Sequence, residues 1–285
     1  GVTNDSLVDT PTNYGDDTGA GGEVRGNYCT LNPLDKATVT LPNGNLGING
    51  NVSTWGVSRA TIPIPSTGIW MMQGLYGGVN GIFGVQTAAA ALTNYVGTDA
   101  FGWSYHNDGQ KRNNNSATAY GSTFTTGDVV SCIFNADVGA VWFAKGATLQ
   151  GSATEAEILA GTTTNAAYSG LTSGPYFFAV SAYDAAVANF NFGQRPWTNA
   201  FTTAAPKALC TQNLPTPAIA KPASYFNSAI YTGNGTARRS ARTAALLTTR
   251  YYSSRIWSGS RAVLARPLTA FMTWCVRPRR TGARI

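Results

Sequence analysis

Residues 24–200 carry short apolar runs, each about a strand long, separated by Gly, Asn and Asp turns. Punctuation at that spacing favours strands over long helices and is the pattern of an all-β sandwich or barrel. The clearest unit is a hairpin. The run Gly127-Asp128-Val129-Val130-Ser131-Cys132-Ile133-Phe134 leads into Asn135-Ala136-Asp137-Val138-Gly139 and returns as Ala140-Val141-Trp142-Phe143-Ala144. Two apolar runs thus flank a five-residue turn built from Asn, Asp and Gly, the residues that tolerate tight backbone geometry. Further strands are expected over Tyr176 to Ser181 and Val187 to Phe192. Residues 153–160 predict one short helix, with Thr154 as its N-cap and Glu155 and Glu157 in the first turn. Trp142, Phe143, Phe177, Phe190 and Phe192 fit buried strand faces by their alternation and are expected in the core.

The 285-residue chain is long enough to bury a core without covalent staples, with 32 Gly and only 12% charged residues. No run of 18 or more apolar residues predicts a membrane helix, and membrane partners are not expected. No basic-then-apolar leader opens the chain, which begins at Gly1 and so reads as a fragment or a processed product. Cys29, Cys132, Cys210 and Cys275 lack C-x-x-C spacing, which argues against zinc. Cys132 reads as a small core residue, while Cys29 and Cys210 flank the sandwich and are candidates to be neighbours.

The flanks differ in composition. Residues 1–23 are polar, rich in Gly and Asp, and read as a linker or extended arm. Residues 201–235, with Pro206, Pro215, Pro217 and Pro222, read as a Pro-rich linker leaving the domain. Residues 236–285 hold 11 Arg and no Lys, Asp, Glu or His, whereas the first 235 residues hold 9 basic and 13 acidic residues. The net charge of +7 therefore belongs to the tail, and the body is mildly acidic.

The order of motifs resembles that of SPRY domains. Ser66-Thr67-Gly68-Ile69-Trp70 is similar to the family's Gly-x-Trp strand, and Phe83-Gly84-Val85 to its next strand. Gly102-Trp103-Ser104-Tyr105 followed by Gly109 and Lys111, then Tyr120-Gly121, resembles the middle motif. Gly127-Asp128-Val129-Val130, the hairpin through Trp142, Gly174-Pro175-Tyr176 onward and Asn191-Phe192-Gly193 resemble the remaining strands. Two departures bear on loop shape: Lys145 runs directly into Gly146 where the family often has Lys-Asn-Gly, and Met71-Met72-Gln73 replace the usual aromatic and acidic residues. The segments Asn27 to Leu34 and Lys207 to Pro215 look like the flanks of SPRY domains in tailed-bacteriophage structural proteins. Residues 221–235 look like the start of a further lectin-like domain.

The resemblance implies a SPRY-type, concanavalin-like sandwich of two antiparallel sheets over 24–200. It implies a non-enzymatic recognition module of a phage tail or virion protein, assembled in the bacterial host cytoplasm. Its partner would be a host surface glycan or protein. The alternative is a purely structural virion domain contacting neighbouring subunits, and a distant alternative is a polysaccharide depolymerase. Homo-oligomerisation is left open.

Two readings compete for the arginine tail, nucleic-acid binding through phosphates and a solvated basic segment. A third is preferred: a reading frame that slips near residue 236. Segments around Ile256 and Phe271 can be encoded so that a two-base move yields Leu-Val-Trp-Ile-Lys and Tyr-Asp-Val-Val-Arg, both strand-like. On that reading the tail is the frame-slipped start of a second lectin-like domain, and nucleic acid is not an expected partner.

No residue set points to catalysis. His106, the single histidine, stands beside Asn107-Asp108-Gly109 in an expected turn with no nucleophile singled out. Glu155 and Glu157 are two apart and face different sides of a helix, unlike a glycosidase pair. Asp16, Asp17 and Glu23 match no calcium loop, Gly19-Ala20-Gly21-Gly22 is no phosphate loop, and Asp128 and Asp137 read as turn residues. No cofactor or metal is expected. SPRY domains generally bind through loops at one end of the sandwich, so the candidate ligand-binding set is Tyr105, His106, Lys111, Arg112, Asn113, Asn114 and Asn115. Aromatics there would stack or fill pockets while Asn and Arg donate directional hydrogen bonds. Against this, Trp103 and Tyr105 also fit the core of a strand, and Lys111 and Arg112 fit simple solvated charge.

Overall fold

The computed structural model describes residues 27–215, apart from 79, 185 and 186, together with residues 257, 258, 261 and 262. The chain divides into two units, residues 1–215 and 216–285. In the second, the described residues form a short antiparallel pair, Trp257–Ser258 with Arg261–Ala262. The arm 1–23, the linker beyond 215, Cys275 and nearly all of the arginine tail lie outside the described residues.

The first unit is a sandwich of two antiparallel sheets. One sheet uses β1 (Leu31–Lys36), β3 (Gly56–Ala60), β5 (Gly81–Thr87), β6 (Gly102–His106), β7 (Gln110–Asn113), β8 (Ser116–Ala119) and β12 (Tyr176–Ala182). Its order is β1-β3-β12-β5-β6-β7-β8. The other uses β2 (Gly47–Asn49), β4 (Ile69–Tyr76), β9 (Val129–Asn135), β10 (Ala140–Lys145), β11 (Thr148–Leu149) and β13 (Val187–Asn191), in the order β11-β10-β9-β4-β13-β2.

Aromatic pairs bridge the two inner faces: Phe83 to Phe190 at 5.8 Å, Tyr105 to Phe143 at 5.3 Å and Phe134 to Tyr176 at 5.4 Å between ring centroids. Gly74 of β4 permits this approach, because a Cβ there would stand 2.2 Å from a ring carbon of Phe83. Burying large aromatic faces supplies much of the core's hydrophobic stabilisation.

Both outer faces are covered as well. Met71, Ile133, Trp142 and Ala144 on the six-stranded sheet pack with Ile158, Trp197, Phe201, Ala204, Ala208 and Cys210. Val57, Ile82 and Ala179 on the seven-stranded sheet pack with Val96, Trp55, Leu92 and Tyr95. Double coverage explains why β9 and β10 read as unbroken apolar runs: Trp142 and Phe143 point to opposite faces, and both are fully buried. Phe190 and Phe192 are core residues as expected, whereas Phe177 is only half-buried.

The β9–β10 hairpin forms with Asn135 paired to Ala140, so Asn135 belongs to the strand and the turn is one residue shorter than expected. The side chain of Asn135 is buried and donates to the Ile158 carbonyl at 2.7 Å. The Lys145-Gly146 departure makes a tight two-residue turn, with Lys145 paired to Thr148 and Gly146 at φ 57°. The helix spans Glu155–Ala160 with a reciprocal capping box between Thr154 and Glu157, and Gly161 closes it in the left-handed region.

One expectation needs correction. Residues 201–214 do not leave the domain as a linker. The backbone from Lys207 to Thr211 bonds to Ile69, Phe192 and Asn27, and Phe201, Ala204 and Leu209 are buried. The outer face of β4, β9 and β10 is too apolar to stay open, and this strap closes it. Cys29 and Cys210 are neighbours in space, as their flanking positions suggested, yet face opposite ways. Tyr28 bridges to Cys210, so Cys29 is one residue out of step. It is a free thiol in the inter-sheet core, while Cys210 packs in the outer cluster.

Candidate functional site

The residues expected to bind a ligand divide by strand alternation. Tyr105 is 0% exposed, its ring lies among Phe124, Phe143 and Tyr120, and its hydroxyl donates to the Ser122 carbonyl. Burial raises its phenol well above the usual range. His106 is 3% exposed and ends β6 instead of sitting in a turn. Burial first, and Arg112 second, push its pKa down to about 3, against the opposing pull of Asp108 and a hydrogen bond to the Val96 backbone.

The His106 Nε2 lies 3.1 Å from Ser104 Oγ, a Ser–His contact, but both residues are sealed from solvent. Strand β6 has neighbours on both edges and cover on both faces, so Tyr105 and His106 cannot touch a ligand. The expectation for both is overturned. Trp103 is half-buried against Tyr176, with 5.7 Å between centroids.

Lys111 follows Tyr105 onto the inner side through the register Tyr105–Lys111. Its Nζ donates to the Ala167 carbonyl at 2.6 Å and stands 5.5 and 5.4 Å from the ring centres of Tyr120 and Tyr168. Desolvation lowers its pKa. This ammonium ties β7 to the loop before β12 and is neither simple solvated charge nor a free ligand contact. Asn113 Nδ2 donates to the Gly102 carbonyl at 2.7 Å. Asn114 and Asn115 take φ 50° and 58° in the two-residue turn between β7 and β8, the positions where Asn replaces Gly most readily.

Arg112 and Asn115 face the other way and meet residues from distant loops. Arg112 holds Asp108 at 2.6 Å and lies 5.9 Å from the centre of the Tyr95 ring. The Tyr95 hydroxyl donates to Asn115 Oδ1 at 2.5 Å. Tyr95 meets Trp55 edge-on at 5.4 Å, and Trp55 stacks on Tyr183 at 5.4 Å and 26°. Trp55, Tyr95, Tyr183 and Arg112 are all half-buried, and Asp184 and Asn115 beside them are exposed.

The result is a row of three aromatic rings flanked by a guanidinium, an amide and carboxylates. It lies over the outer face of the seven-stranded sheet. Of the expected set, Arg112 and Asn115 stand beside this row, and Trp55, Tyr95 and Tyr183 were not among the expected residues. Their signal in the sequence is faint: each stands in a polar loop, in Ser53-Thr54-Trp55, Thr93-Asn94-Tyr95 and Tyr183-Asp184.

The other candidates have structural partners. Asp128 accepts from the Thr125 backbone at 2.7 Å and pairs with Lys145 at 3.0 Å, and these bonds hold its carboxyl below the usual value. Asp137 Oδ1 accepts from the Gly68 backbone at 3.0 Å. Glu157 caps its helix, and Glu155 accepts from the backbones of Thr203 and Ala204 at 2.6 and 3.0 Å. Among the described residues no group of three or more His, Cys, Asp and Glu is placed to hold a metal ion. Asp16, Asp17 and Glu23 lie outside the described residues.

The SPRY domain family model matches residues 77–195. Among the solved structures similar to the chain is the crystal structure of the SPRY domain of human HERC1. It is 15% identical, covers 56% of this chain and 96% of that one, and has a TM-score of 0.45. No curated protein matches the chain. The matched span runs from just after β4 to just past β13, and β1 to β4 complete both sheets around it. Within its two-sheet sandwich, the span 77–195 is the part that matches the SPRY domain family.

Proposed function

We propose that this chain is a non-enzymatic recognition module of a phage tail or virion protein that binds a glycan or protein on the host surface. SPRY domains as a class are protein-interaction modules, which supports binding over catalysis. The observation that carries the reading is the row of Trp55, Tyr95 and Tyr183 with Arg112 and Asn115 at its end. Half-exposed rings offer flat apolar surface to a sugar face or an apolar side chain. Arginine, asparagine and carboxylate groups set orientation by hydrogen bonds. The virion context rests on the flanking segments 27–34 and 207–215, which resemble those of phage structural proteins.

The test is binding of the full chain to whole bacterial cells, to their purified surface polysaccharide and to their surface proteins. Trp55→Ala, Tyr183→Ala and Arg112→Ala are each expected to weaken binding roughly tenfold or more. Leu34→Ala, 95% exposed on β1, is expected to leave it unchanged. Saturable binding that ignores all three changes would overturn this site.

A further inference from the structure

Three of the four outer strands of the two sheets are blunted against edge pairing. β1 contains Pro33, Asp35 and Lys36 and shifts register along its length. β2 has three residues and β11 two. Proline, charge, bulging and shortness are the usual means of protecting an edge. Strand β8 has no proline, no charge and no register shift, and it is longer than β2 and β11. Its four residues, Ser116-Ala117-Thr118-Ala119, are uncharged, and all four are exposed.

The pairing with β7 fixes which backbone groups are left over. Asn113 pairs with Ser116 across the two-residue turn, and the Tyr120 N–H donates to the Gly109 carbonyl at 3.1 Å. Hydrogen-bonded pairs alternate along an antiparallel ladder, so Ser116, Thr118 and Tyr120 bond inward to β7 and its turn. The N–H and C=O of Ala117 and Ala119 point away from the sheet, symmetrically about Thr118.

We infer that β8 is a self-pairing edge, on which a second copy of this chain adds its own β8 antiparallel about a twofold axis at Thr118. Ala117 of each copy then exchanges both backbone bonds with Ala119 of the other, and all the outward groups are satisfied at once. The side chains across the join are alanine and threonine, small enough for close approach. Charge favours a like partner over a foreign one. The strand bears no charged group to select a foreign peptide. Among the described residues, the cations of the neighbouring β7 are engaged within their own copy, Arg112 by Asp108 and Lys111 by the Ala167 carbonyl, and neither stands on β8 itself. A twofold isologous contact of this kind closes after two subunits.

The experiment is sedimentation of the full chain across a concentration series, with Thr118→Cys and Ala119→Pro variants. The wild type is expected to form a dimer. Thr118→Cys is expected to give, on mild oxidation, an interchain disulfide that mass spectrometry places between the two introduced cysteines. Such a bond is expected because facing non-hydrogen-bonded positions lie close enough. Ala119→Pro removes an outward N–H and no bond inside the domain. It is expected to weaken dimerisation roughly tenfold or more while the melting temperature of the monomer holds. A wild type that stays monomeric throughout would overturn the proposal. So would a dimer that survives Ala119→Pro without the Thr118→Cys crosslink, or β8 protected only by a different polypeptide.

Discussion

His106 shows how far a residue's role depends on which side of a strand it lands. In sequence it stands before Asn-Asp-Gly and reads as a loop residue. In the fold β6 runs through it, and its ring turns under the 88–99 loop against Tyr95, 5.3 Å away. Burial keeps it neutral down to about 3, from a usual 6.5. A base whose folded pKa lies below its unfolded pKa stabilises the fold fully above the unfolded value. That contribution is lost as pH falls from 6.5 towards about 3, by at most about 1.4 kcal/mol per pH unit. Urea unfolding between pH 7.5 and pH 4 is therefore expected to weaken more steeply in the wild type than in His106→Gln. Parallel curves would mean that the ring meets solvent. Tyr105 carries the same lesson, since the alternation that makes it core was readable but its neighbour's cover was not.

The elements divide by how local their causes are. The hairpin β9–β10 and the helix Glu155–Ala160 were legible because their signals lie within a few residues: an Asn-Ala-Asp-Val-Gly turn, and a Thr154–Glu157 capping box. The strap 201–214 was not legible. Its prolines suggest a linker, and only the apolar outer face of the six-stranded sheet gives Phe201 and Ala204 somewhere to go. Ending the chain after residue 200 is expected to uncover that face and cost at least about 3 kcal/mol relative to ending it after 215, because two or more large apolar contacts are lost. Glu155→Ala, which frees the Thr203 and Ala204 N–H groups, is expected to cost about 1 kcal/mol. Chemical denaturation of both variants would measure these losses, and unchanged midpoints would return the segment to the role of a linker.

At the scale of the whole unit, the first and last described segments lie side by side. Asn27 exchanges bonds with Thr211, its N–H donating to Thr211 Oγ1 at 3.0 Å and its carbonyl accepting from the Thr211 N–H at 2.9 Å. The Cys29 N–H donates to Leu209 at 2.9 Å. The closure is non-covalent. Cys29 is buried with its thiol pushed up to about 11, and burial also raises the Cys132 thiol well above the usual value. Thiolate is the reactive form, so alkylating reagent is expected to leave both unmodified under native conditions and to reach them only on unfolding. Modification of Cys29 in the native state would show that the seam at residues 27–29 opens.

Sequence alone determined the class of fold, because alternation and turn chemistry act over a few residues and each local choice agrees with a two-sheet sandwich. It also placed the helix cap, the main hairpin and most of the aromatic core. Tertiary structure decided which polar-loop aromatics meet. Trp55, Tyr95 and Tyr183 come from three separate loops, and Arg112 reaches them only because β7 pairs with β6 in one register and not its neighbour. A shift of one residue would send Arg112 inward and Lys111 out, and the local sequence contains nothing that distinguishes the two.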